Sequence, residues 1–163
     1  MGFLKGIVGA VTGWSAQVSV EVENPSRFEP FTIRVRAVAD DELNTRRVYG
    51  KIRGTETIVA RGVEVVKHPQ EGEGDAADSA GEPQVAKEGV EQSPETFSAE
   101  FDLAGATALE AKQEYEWETT FQLPASAQPS YQGPNAKHFW EIQGGLEVKG
   151  VDPTSDHVTI QIA

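Results

Sequence analysis

Tyr115-Glu116-Trp117-Glu118-Thr119-Thr120-Phe121-Gln122-Leu123 sets larger or apolar side chains against polar ones at every second position. That period of two is the mark of a pleated strand with one buried and one wet face. The pattern recurs upstream, where Phe97, Ala99, Phe101 and Leu103 alternate with Ser98, Glu100 and Asp102. Downstream, His138, Trp140, Ile142, Gly144, Leu146 and Val148 form one long alternating face, and Val158, Ile160 and Ile162 a last one. In the first half, Ala16, Val18, Val20 and Val22 run to a stop at Asn24-Pro25, and Phe31, Ile33 and Val35 alternate with Thr32, Arg34 and Arg36. Val48, Gly50, Ile52 and Gly54 suggest a third strand, and Ile58 to Val66 a fourth broken at Gly62. Seven to nine such strands, with Pro or Gly at most junctions, predict an all-β fold, an antiparallel immunoglobulin-like β-sandwich.

Two segments leave this rhythm. Phe3, Leu4, Ile7, Val8, Val11 and Trp14 recur at helical spacing, while Gly2, Gly6, Gly9 and Gly13 fall on the opposite side. Residues 1–14 are expected to form a short amphipathic N-terminal helix. Each glycine costs such a helix about 0.8–1.0 kcal/mol, so it needs a partner surface. The six apolar residues are therefore the candidate protein-interaction site, for docking or self-association. Lys5 is the only positive charge there and glycines interrupt the apolar run, which disfavours a signal peptide. Gly6 stands where a myristoylation motif prefers Ser or Thr. From residue 70 to residue 93 the composition shrinks to small, acidic and turn-forming residues, with Val85 and Val90 the only larger apolar ones. Too little surface is buried there to offset ordering, and an acidic mobile loop within the domain is expected.

The 163 residues fit a single domain, 1–163, with one core. Charge then narrows the partners. With 26 Asp and Glu against 14 Lys and Arg, the net charge of -12 opposes a phosphate-binding surface, and nucleic acid is set aside. Anionic lipid is repelled too, so membrane contact would have to be weak, peripheral and driven by apolar burial. No apolar run approaches the ~20 residues of a membrane span. The absence of cysteine removes disulfides, thiolate metal sites and cysteine nucleophiles together.

Catalytic patterns are missing as well. His68, His138 and His157 form no pair at metal-binding spacing, and no metal ligand is assigned. The chain has no Gly-x-Ser-x-Gly elbow, no phosphate loop and no calcium loop, so no cofactor is expected. Trp117, Trp140, Tyr115, Tyr131 and Phe139 raise the alternative of a carbohydrate- or ligand-binding sandwich, with sugar rings stacked on exposed aromatics. Trp117 and Trp140, however, share their alternation with aliphatic residues and belong more naturally in a core.

Several short motifs, in order, resemble the arrestin-like N-terminal sandwich. They are Phe121-Gln122-Leu123-Pro124, Pro129-Ser130-Tyr131-Gln132-Gly133, Phe139-Trp140-Glu141-Ile142, and Leu146 to Pro153 with its Asp152-Pro153. The start, Phe3-Leu4-Lys5 followed by Gly13-Trp14-Ser15-Ala16-Gln17-Val18, resembles the bacterial sporulation-control branch of that group. Its expected turn before the second strand survives only in degraded form as Arg27-Phe28-Glu29-Pro30-Phe31. The resemblance implies a cytoplasmic, non-enzymatic adaptor, scaffold or regulatory protein that binds other proteins through sheet edges, loops or concave faces. Members of the group usually carry a second domain. None is expected here, so no polar-core switch and no phosphate sensor is carried over.

Overall fold

The computed structural model describes residues 9–12, 15–64 and 87–163. Twelve strands occur among them and no helix. One sheet runs in the order β1 (Gly9–Thr12), β2 (Ala16–Glu23), β3 (Phe31–Ala39), β9 (Glu114–Phe121), all antiparallel. The other is built on β5 (Arg47–Glu64) and β11 (Ala136–Glu147), paired from Arg47 opposite Glu147 to Ile58 opposite Ala136. Along the free side of β5 lie β6 (Lys87–Gln92) and then β7 (Glu95–Ala104). Along the free side of β11 lie β10 (Tyr131–Gln132) and β12 (Val158–Ile160). A small ladder of β4 (Leu43–Thr45) with β8 (Thr107–Leu109) joins the layers at one end.

The alternating faces meet as their periodicity predicts. Val18, Val20, Ile33 and Val35 from the first sheet pack against Ile52, Trp140, Ile142 and Leu146 from the second, all essentially inaccessible. Trp140 donates its indole N–H to the Gln128 carbonyl at 2.9 Å, so its one polar atom is satisfied inside the core. Glycines on β5 and β11 make room for large neighbours. A Cβ on Gly144 would sit 2.8 Å from Val35 Cγ2, and one on Gly145 would sit 2.5 Å from Tyr49 Cζ.

The Tyr49 ring lies over Gly145, and its hydroxyl donates to Asp152 Oδ2 at 3.2 Å. Asp152 Oδ1 accepts from the Val148 N–H at 3.0 Å, so the Asp152-Pro153 turn closes over the phenol. Burial, and secondarily the Asp152 charge, pushes the phenol up to about 12. In the unfolded chain a tyrosine ionises near pH ~10. Between those values the unfolded chain has released a proton that the folded chain retains. This contribution to stability is complete below pH ~10 and falls away as pH rises toward 12. Urea midpoints measured from pH 9 upward should fall more steeply in the native protein than in Tyr49→Phe. Parallel curves would place the phenol in water.

Three expectations are corrected. Over Gly9–Thr12 the chain is a strand and not part of a helix, with Val11 opposite Val18; the other residues of the expected helix lie outside the described ones. Glycine penalises a helix there, while β-branched Val11 and Thr12 suit a pleat and the open side of β2 offers backbone partners. The expected acidic loop of residues 70–93 ends sooner, because Lys87–Gln92 is strand β6, with Val90 opposite Ala60. Its remaining part, residues 70–86, lies outside the described residues. The third and fourth strands are one, β5, which bends through a register shift between Ala60 and Val63.

Candidate protein-interaction edges

The two sheets are closed unequally. On one side of the sandwich, among the described residues, β7 pairs only with β5 and β9 only with β3. They face each other without pairing, bridged by the Phe101 and Phe121 rings at 4.9 Å. The inward row of β7 is Phe97, Ala99, Phe101 and Leu103, and that of β9 is Tyr115, Trp117, Thr119 and Phe121. All eight are half-buried, whereas the inward residues of β3 are fully buried. Trp117, expected in the core, is half-exposed because its strand is an edge; it stacks on Tyr115 with centroids 6.0 Å apart. Trp140 lies in the core as expected.

The backbone of β7 has a definite polarity. Glu56 donates its N–H to the Pro94 carbonyl, so the even-numbered residues of β5 address this side. Their partners Phe97, Ala99 and Phe101, opposite Gly54, Ile52 and Gly50, therefore bond inward. Ser98, Glu100 and Asp102 turn their N–H and C=O groups outward, free of any sheet partner among the described residues.

Charge follows the same division. β7 and β9 together carry Glu95, Glu100, Asp102, Glu114, Glu116 and Glu118 and no Lys or Arg. The bases stand one strand inboard. Arg34 on β3 reaches Glu118 at 2.8 Å and Glu116 at 3.2 Å, and Arg47 on β5 meets Asp102 at 2.9 Å, Glu147 at 2.6 Å and Glu100. Hydrogen bonds from Arg47 and Arg36 hold the carboxyls of Glu100 and Glu116 below the usual glutamate range. The rim is acidic.

Val11 lies on edge strand β1, and Phe3, Leu4, Ile7, Val8 and Trp14 lie outside the described residues. Aromatics for a sugar platform are scattered, with Phe28 at the β2–β3 turn and Tyr131 on β10, its hydroxyl bonded to Glu56. His138 is 2% exposed, deeper than a surface histidine, with Nε2 2.7 Å from Thr96 Oγ1 and Nδ1 3.1 Å from the Pro129 carbonyl. A shallow cleft of about 280 Å³ lies over the outer face of β5 and β7, lined by Lys51, Arg53, Glu100, Glu141 and His157 among others. Its charges are spent on one another: Arg53 bonds Glu141 at 2.7 Å and Lys51 lies 3.4 Å from Glu100. The downward shift at Glu100 is the reverse of what a general acid needs. Among the described residues no group of three His, Asp or Glu could hold a metal ion, and no helix is long and apolar enough to cross a membrane.

No protein-family model matches the chain, and no curated protein matches it by sequence. Solved structures do match. The crystal structure of Spo0M, a sporulation control protein from Bacillus subtilis, aligns with a TM-score of 0.56 at 16% sequence identity, covering 91% of this chain and 49% of that one. The chain thus spans about half the length of Spo0M, and at this identity the likeness is one of fold. The arrestin-like β-sandwich expected from the motifs is the fold observed, shared with that sporulation control protein.

Proposed function

We propose that this chain is a non-enzymatic regulatory adaptor, working in the cytoplasm, that binds other proteins through the edges of its sandwich. The observation that carries this reading is the open side between β7 and β9, where two strand edges without a partner among the described residues flank a row of half-buried aromatics. Unpaired edges are templates for another chain, and proteins that do not use them cover or blunt them. The fold shared with a sporulation control protein supports a regulatory role. The apolar segment with Phe3, Leu4, Ile7, Val8, Val11 and Trp14 is a second contact element in this reading, and its Val11 falls on β1, at the opposite end of the first sheet from β9.

A photo-crosslinking residue placed singly at Val11 on β1, Glu118 on β9, Thr159 on β12 and, as a face control, Arg53 tests it in living cells. The expected result is one discrete adduct from at least one edge position and none from Arg53. The captured protein, once purified, should bind the adaptor again. Equal adducts everywhere, or none from any edge, would end the adaptor reading.

A further inference from the structure

We infer that the β7 edge takes an extended peptide segment of a partner protein in which apolar and basic residues alternate, added as a strand across the open side. This rests on the adaptor reading and gives it a site and a partner chemistry.

Register supplies the code. A strand added to β7 would bond to the outward N–H and C=O groups of Ser98, Glu100 and Asp102. Its residues opposite those three would share their solvent face, beside the Glu100 and Asp102 carboxylates. Lys or Arg there matches the rim, and opposite charges directly across two strands attract while like charges repel. The alternate residues would point inward, beside Phe97, Ala99, Phe101 and Leu103 and toward Trp117 and Phe121 on the facing wall. Apolar side chains there would complete the burial that β7 and β9 leave half done.

Charge complementarity also argues against a second copy of this chain. Two β7 strands, or a β7 and a β9, would set rows of carboxylates side by side, and the bases that answer them, Arg47 and Lys51 or Arg34 and Arg36, stand one strand inboard, away from the new seam. A polyanionic segment is excluded on the same ground.

The test uses the full chain and three fluorescein-labelled peptides: Val alternating with Lys, Val alternating with Glu, and the Val and Lys composition with all lysines in one block. Fluorescence anisotropy should show the alternating basic peptide binding at least about tenfold more tightly than either other, a difference matching one or two interfacial hydrogen bonds. Ser98→Pro removes an outward N–H that no ladder bond uses, and proline is tolerated at such edge positions. It should weaken the alternating basic peptide about tenfold, while Thr120→Pro on β9 leaves its affinity within about threefold. Hydrogen exchange on the native protein provides a readout without substitution. The amides of Ser98, Glu100 and Asp102 should exchange more slowly when the peptide is bound.

Equal binding of the blocked and alternating basic peptides would reduce the effect to net charge and overturn the inference. So would unchanged exchange at those three amides, even if Ser98→Pro fails to fold. If these results are negative while crosslinks still form from β1 or β12, the adaptor reading stands and only the β7 site falls.

Discussion

Replacing Trp140 with alanine should remove about 3–5 kcal/mol of folding stability, the largest loss expected from any single truncation in this molecule. The indole is fully enclosed between the sheets, tilted against Phe97 at 5.6 Å and edge-on to His138 at 5.4 Å. Gly54 on β5 leaves room for its six-membered ring, where an added Cβ would approach within 3.1 Å. Alanine empties that space and also strands the Gln128 carbonyl. Since whole domains are stable by only about 5–15 kcal/mol, urea denaturation should show a midpoint displaced by a large fraction of its value with the slope unchanged. Trp140→Phe, which keeps most of the ring and loses the hydrogen bond, should recover more than half of the loss. A cost below about 1 kcal/mol for alanine would mean that the ring is not between the sheets.

The second large effect comes from adding atoms. Gly144 lies where β11 approaches the opposite sheet most closely among the glycines, with Val35 Cγ2 at 2.8 Å and Val20 Cβ at 3.5 Å from an added Cβ. Val35 is fully buried and cannot swing into solvent. The Gly144 N–H also donates to Ser155 Oγ at 2.9 Å, which ties the strand to the turn preceding β12. Gly144→Val must push the layers apart, at about 3 kcal/mol or somewhat more, the upper part of the range for overpacked cores. The diagnostic measurement is a double-mutant cycle with Val35→Ala. Removing the two methyls that clash should make the pair less destabilised than the sum of the singles by about 1 kcal/mol or more. Strict additivity would place the clash elsewhere.

Strands whose two faces differ could be read directly. β3, β9 and β11 alternate so cleanly that Ile33, Val35, Trp140 and Ile142 were identifiable as core from period alone, because burial acts residue by residue along a pleat. The short motifs ending in Asp152-Pro153 carried the arrestin-like assignment, and the fold bears it out. What local pattern could not supply was pairing between distant segments. β6 is polar and acidic, with nothing in its composition to make it a strand; it is one because β5 continues past Ile58 and offers it an edge. β1 shows helical spacing yet pairs with β2, since backbone partners outweigh a helix weakened by glycine. The β7–β9 edges did leave a trace. Two strands with carboxylates at most wet positions of the pleat and not one base contrast with the Arg34, Arg36, Lys51 and Arg53 of their inner neighbours, a division that separates rim from centre.

β5 also orders the folding of the molecule in time. Its pairing with β6, Glu64 opposite Lys87, joins the nearest segment and can close early, but its other edge pairs with β11, Val48 opposite Leu146, far along the chain. Contacts of such long sequence separation slow folding toward the millisecond-to-second range of all-β domains. On the ribosome, β5 emerges well before β11 has been synthesised, and during that interval its second edge has no native partner. The strand that organises the finished sheet is thus the one most in need of protection while the protein is being made.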